Sequence, residues 1–267
     1  MKASRPLRIL MAASLAASTA PLFAQTGEAE EESGRIVTVG GGAILQPRFP
    51  GARELEFRPW PILGTRRAGT AERFSAPDDS FGLALMKGGN FSLGPAANIA
   101  SGREEEDAIK GIGNVGTTVE VGAFAEAYMT DNLRFRAEAR KGIGGHEGLI
   151  GDLGADYIIG DPAKGSFFSI GPRLRLADAR YHRAFYGVSP AQRAATGLAL
   201  HDPDAGLHSA GALVSARVPL GGQLGLRAYG RYDRLLGDAA DSPLVRSGVG
   251  SRNQFEAGIG LAYNFRL

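Results

Sequence analysis

The 267-residue chain contains no cysteine. Disulfides, thiolate metal sites and thiol nucleophiles are therefore excluded. It is also poor in histidine, with four in all: His146, His182, His201 and His208. None is spaced from another, or from a serine or acid, as a catalytic triad or a zinc site requires. The expectation is four exposed loop histidines, no enzyme, no metal and no cofactor. Long apolar runs are missing too. Beyond residue 24 nothing approaches the ~18 uninterrupted apolar residues of a membrane helix. An excess of one charge is likewise lacking. Lys2, Arg5 and Arg8, followed by the apolar run 9–20 and Leu22-Phe23-Ala24, fit a cleavable signal peptide over 1–24. Its removal takes three cations and no acid, turning a net charge of +2 into −1. The sequence pI of about 9.0 thus overstates the basicity of the remaining chain, and nucleic-acid binding loses its support.

What is abundant is glycine, 39 of 267 residues, well above the average share. Much of it lies inside alternating segments, as on a curved sheet. The alternation is plainest at the end of the chain. From Phe255 onward Phe255, Ala257, Ile259, Leu261, Tyr263, Phe265 and Leu267 are apolar. Between them stand Glu256, Gly258, Gly260, Ala262, Asn264 and Arg266. Period two describes a strand with one apolar and one polar face. After an acidic lead-in at 25–34, similar segments recur at 35–45, 55–66, 72–76, 80–86, 91–101, 117–129, 133–141, 149–159, 167–176, 207–218 and 224–236. Short turns and long loops interleave between them. The reading is an all-β, antiparallel transmembrane barrel over 35–267, with about 12 strands (ten being the other even count), short periplasmic turns and long extracellular loops.

Lipid contact on one face forces the charged residues to the other, because an arginine facing lipid at the midplane costs about 2–4 kcal/mol. The inward set comprises Glu120, Glu126, Arg134, Arg136, Glu138, Arg140, Asp152, Asp156, Arg173, Arg175, Arg217, Arg227, Arg231, Asp233, Glu256 and Arg266. Nine arginines against seven acids suit a lumen filled by cross-pairing better than an ion-selective pore, where one sign gathers at a constriction. In the loops, Ser189-Pro190-Ala191-Gln192 with Gly197 downstream spells a capped short helix. Asp238 and Asp241 offer two carboxylates to a calcium ion, but suit better the role of capping the turn through hydrogen bonds from backbone amides.

Three stretches carry a family resemblance. They are Val121-Gly122-Ala123-Phe124-Ala125-Glu126, the segment 186–198 beginning Tyr186-Gly187-Val188-Ser189-Pro190, and Leu235-Leu236-Gly237-Asp238-Ala239-Ala240-Asp241-Ser242-Pro243 closing at Gly250 to Phe255. Together they resemble the MltA-interacting protein/OmpV family of Gram-negative outer-membrane proteins, over about 37–265. The resemblance implies an outer-membrane barrel. It also implies partners: the lipid bilayer, the barrel assembly machinery, and a lytic transglycosylase with a murein synthase that the barrel scaffolds. A small-solute pore and a surface adhesin are the competing roles. Gly258, Gly260, Tyr263 and Phe265 resemble the C-terminal signal read by the assembly machinery, although Arg266 and Leu267 follow it. Replacing both Tyr263 and Phe265 by Ala should leave degraded or periplasmic protein. Normal outer-membrane levels with normal heat-modifiable migration would place the signal elsewhere.

Overall fold

The structure is a computed structural model that describes residues 34–267; the expected signal peptide and, Gly34 apart, the acidic lead-in lie outside the described residues. In chain order the strands are β1 (Arg35–Pro47), β2 (Leu55–Arg67), β3 (Phe81–Gly82), β4 (Met86–Gly88), β5 (Phe91–Ala100), β6 (Thr118–Thr130), β7 (Leu133–Ile143), β8 (Leu149–Asp161), β9 (Ser166–Ala177), β10 (Gly206–Gly221), β11 (Leu224–Leu235) and β12 (Asn253–Arg266). Between β9 and β10 lie α1 (Ala179–Tyr186) and α2 (Pro190–Thr196). Before β12 come α3 (Gly237–Asp241) and α4 (Pro243–Arg246).

All twelve strands belong to one antiparallel sheet, in the order β2-β1-β12-β11-β10-β9-β8-β7-β6-β5-β3, with β4 also on β5. The terminal strand, read first from its alternation, pairs with β1 from Ile36↔Arg266 to Leu45↔Ala257. Both ends of the barrel chain meet on the short-turn side, where Arg35 and Leu267 exchange backbone hydrogen bonds of 2.8 Å. Along β12 the alternation is met side for side. Phe255, Ile259, Leu261, Tyr263 and Phe265 are exposed on the outer face, while Gly258, Gly260 and Ala262 are buried.

β3 and β4 form a single interrupted wall position. Both pair antiparallel with β5, with a change of register between Gly82 and Met86. The path from β2 to β3 contains ten antiparallel pairings, so these two strands point the same way. No hairpin can join parallel strands. The connecting residues 68–80 must instead travel back along the barrel, and they do so through its interior. The strand expected at 72–76 is thus not a strand. Its alternation of Glu72, Phe74 and Ala76 serves a different purpose, burying Phe74 and Ala76 against Ile158, Tyr128 and Phe167 inside the short-turn end. The strand expected at 80–86 is reduced to two short pieces, Phe81–Gly82 and Met86–Gly88.

The inward glycines of β12 make room for neighbours. A Cβ on Gly258 would stand 2.2 Å from Cε1 of Tyr229, and one on Gly260 would stand 2.8 Å from Cδ1 of Ile62. Tyr229 packs edge-on against Trp60 with centroids 5.1 Å apart and donates to Glu256 Oε1 at 2.5 Å. Gly258→Ala should therefore lower stability by about 1–3 kcal/mol through overpacking, read as a reduced urea midpoint in detergent. The same change at Gly248, where a Cβ meets nothing within 4 Å, should be near neutral. Equal effects at both sites would contradict the packing.

Candidate functional site: the charged lumen

The interior segment brings Asp78 and Asp79 to the middle of the inward arginines. Alternation on β6, β7, β8 and β9 points Glu126, Arg134, Asp156 and Arg173 to one interior face, and the sheet's curvature converges them. Arg134, 1% exposed, reaches Asp79 at 2.7 Å, Glu126 at 2.8 Å and Asp156 at 3.0 Å. Arg136 lies 3.5 Å from both Asp79 and Glu126, bonds Glu138 at 2.6 Å and stacks over the Phe124 ring at 4.0 Å. Arg173 bridges Asp78 and Asp156, each at 2.7 Å. Arg231 joins Asp78 at 3.2 Å to Asp233 at 2.5 Å.

Towards the long loops a second tier follows. Arg140 touches Glu120 at 3.0 Å, Asp152 at 2.6 Å and Glu138. Arg175 takes the other oxygen of Asp152 at 2.6 Å. Ser80, where the interior segment leaves the lumen, donates to Glu138. Towards the short turns a third tier gathers Arg66, Arg217 and Arg227 around Glu72 alone. The inward set read from alternation contains the wall members of these tiers except Arg66 on β2. It misses Glu72, Asp78 and Asp79, which sit on no wall strand. Pro77-Asp78-Asp79, a turn sequence directly after a short alternating run, is the signal that could have found them.

The histidines correct the expectation of exposed loop residues. His146, His182 and His208 are 2%, 1% and 4% exposed; only His201 is partly open. The long loops fold over the barrel mouth and bury them. α1 starts at Asp178, whose side chain accepts from the Tyr181 amide, and buries Tyr181, His182, Phe185 and Tyr186. The α2 start carries the expected box: Ser189 accepts from the Gln192 amide, Gln192 accepts from the Ser189 amide, and Gly197 closes the helix at φ 76°. Asp238 accepts the Asp204 amide of a neighbouring loop at 2.7 Å. Asp241 instead takes the guanidinium groups of Arg246 at 2.5 Å and Arg252 at 3.1 Å, so it ties together the loop before β12 rather than capping its own turn.

His146 accepts the Gly148 amide on Nδ1 at 2.9 Å, so its Nε2–H donates to Glu120 at 3.1 Å. His182 donates from Nδ1 to the Asp204 carbonyl at 2.6 Å, leaving Nε2 to accept from His208 Nδ1 at 3.3 Å. Under this cap burial drives the Tyr181 phenol up to about 12. It pulls the Arg103 guanidinium down to about 10, and Arg103 bonds the Phe185 carbonyl at 2.7 Å. Among the described residues no cluster of His, Asp and Glu is arranged to hold a metal ion.

A curled sheet with an apolar outer face, a paired charged interior and a loop cap defines an outer-membrane β-barrel. The family model described as "MltA-interacting protein MipA" matches residues 39–265, and the chain belongs to that family. No curated protein sequence matches it. Among solved structures it is similar to Neisserial surface protein A (11% identity, 86% of this chain and 97% of that one, TM-score 0.27). It is similar also to the outer membrane channel DcaP of Acinetobacter baumannii (8% identity, 87% and 96%, TM-score 0.36). OpdO of Pseudomonas aeruginosa is a third (11% identity, 89% and 98%, TM-score 0.29). Likenesses at such scores say nothing of the function of this chain.

Arg134 is the most demanding member of the network, because its removal takes the nearest cation from Asp79 and Glu126 and one of two from Asp156. Arg134→Ala should destabilise the folded barrel by about 3–5 kcal/mol, measured by urea titration in detergent. Arg134→Lys should recover only part of that, since an ammonium lacks the planar fork that serves several carboxylates at once. A loss below about 1 kcal/mol for the alanine variant, the scale of an exposed ion pair, would show the network to be incidental.

Proposed function

We propose that this chain is a non-catalytic barrel, exported by the signal segment at 1–24, that docks a periplasmic murein lytic transglycosylase and a murein synthase at its short-turn side. The observation that carries the reading is the filled lumen. Its middle is occupied by the interior segment 68–80 and by the ion pairs of Asp78 and Asp79 with Arg134, Arg136, Arg173 and Arg231. A barrel closed in this way has its surfaces left as its means of action. The family's description as MltA-interacting supports a protein partner, and the short-turn surface is the one that faces the periplasm.

The pore reading retains one observation in its favour. Cavities of about 450 Å³ and about 280 Å³ lie at opposite ends of the lumen, separated by the Asp78–Asp79 tier. A rearrangement of that tier would connect them. Wild-type protein in planar bilayers should therefore show little steady conductance. Asp78→Asn together with Asp79→Asn takes one carboxylate from each of Arg134, Arg136, Arg173 and Arg231, and water then enters to solvate the donors left open. That variant should conduct, with a preference for anions. Crosslinking in intact cells should recover a lytic transglycosylase or a murein synthase. Large, stable wild-type conductance with neither enzyme recovered would reverse the assignment to a pore.

A further inference from the structure

The sheet is open along one line. Among the described residues no strand pairs with the free edge of β2, and β3 and β4 leave their outer edge equally unpaired. The edge is written into the sequence. β2 carries Pro59 and Pro61, each paired on one side with β1, and proline in a sheet belongs on an edge because it has no donor for a further neighbour. Large apolar side chains flank the gap on the outer surface: Phe57 at 77% exposure and Leu63 at 69% on one side, Phe81 at 72% and Leu85 at 68% on the other. Behind the gap lies the cavity of about 450 Å³. Its apolar wall includes Trp60, Ile62, Phe74, Phe81, Phe124 and Phe167. This volume falls in the usual range of small-molecule sites.

The charge in this cavity departs from the rest of the lumen. Elsewhere the arginines meet acids nearly one for one. Here Arg217 and Arg227, with Arg66 beside the cavity, share Glu72, and Arg227 comes no closer to it than 3.9 Å. The Nε of Arg227 is buried and has no hydrogen-bond partner. Arg73 and Lys87, also lining the cavity, are exposed and make no ion pair among the described residues. An unmatched cationic cluster beside a buried donor is a site for an anion, and paired arginines present the fork geometry that phosphate oxygens accept.

The height of the cluster decides which anion. Arg217 and Arg227 are register partners one turn-length from Gly221 and Leu224. Lys87 precedes the turn after Gly88. All sit at the short-turn end, at the edge of the hydrocarbon layer, while the aromatic wall and the open seam extend upward into it. A phosphate at the boundary with a chain alongside the seam is the posture of a lipid in the leaflet on the short-turn side. We propose that the seam cavity binds an anionic phospholipid of the bilayer, its phosphate on Arg217 and Arg227 and one acyl chain entering between β2 and β3–β4.

Trp60 is the chain's single tryptophan and lines the cavity, so its fluorescence reports the occupant directly. The probes are phosphatidylglycerol and phosphatidylcholine carrying dibrominated acyl chains, titrated into the full protein in detergent. Dibrominated phosphatidylglycerol should quench Trp60 saturably, at concentrations about tenfold below those needed with phosphatidylcholine, the size expected for charge-assisted phosphate contacts. Arg217→Gln with Arg227→Gln should abolish that preference in protein whose heat-modifiable migration shows it folded. Should that pair fail to fold, Lys87→Gln, at an exposed position, should reduce the preference by itself. Inorganic phosphate at millimolar concentration should not displace the lipid; displacement would make this a site for a soluble anion and overturn the proposal. Equal quenching by the two lipids, no quenching, or an unchanged preference in the folded variants would overturn it as well.

Discussion

Charge inside a membrane barrel has to be matched, and that requirement organises this molecule. An unpaired ion buried in a low-dielectric interior is far more costly than a paired one. The outer face of the strands is committed to lipid, so the charged residues of β6 to β11, apart from Lys141, Asp161 and Arg234 at strand ends, have only the lumen. At the level of Arg134, Arg136, Arg173 and Arg231 the wall supplies Glu126, Glu138, Asp156 and Asp233. Asp78 and Asp79 add a further carboxylate to each arginine, and they do so from a segment that belongs to no strand. The barrel's interior and its chain path are therefore one solution: the return of residues 68–80 through the lumen carries these further counter-charges to the arginines.

The same return explains the seam. A strand pair related by an interior crossing runs parallel, and residues 68–80 cannot both line the lumen and zip β2 to β3. Pro59 and Pro61 make β2 a poor partner on that flank, which keeps the edge free. Arg58 spans the gap on the loop side by bonding Ser101, so the two edges are tied near one end and apart near the other. The cap over the long-loop mouth, built from α1 to α4 around Phe185, Tyr186 and Leu244, leaves the short-turn end and the seam as the more open approaches to the interior.

Much of this was legible in the sequence, for physical reasons that also mark where legibility stopped. Period-two patterns in lipid are enforced on both faces, so β6, β7 and β12 can be bounded to within two residues or so from alternation alone. The Ser189–Gln192 box is a local backbone device and needs no tertiary information. Residues 72–76 misled because alternation of Glu72, Phe74 and Ala76 also fits an extended chain threaded between charged and apolar lumen layers. The histidines misled for a similar reason. His146, His182 and His208 come from loop and strand ends distant in sequence, and only the folding of the loops across the mouth buries them together. The prolines of β2 were an available signal of the edge, but which strand would fail to meet it depends on the interior crossing.

The placement of residues 68–80 inside the lumen is the central claim, and the absence of cysteine from the chain makes it directly testable. Ala76, 4% exposed against Ile158 and Phe74, can be replaced as Ala76→Cys, giving a single thiol to be probed with a membrane-impermeant maleimide in the folded protein. Lys87→Cys, at an exposed position of β4, serves as the reference. The interior path predicts that the thiol at position 76 reacts only as fast as the barrel opens or unfolds, while the one at position 87 reacts at once. Equal and rapid labelling at both positions would place the segment outside the lumen and contradict the account.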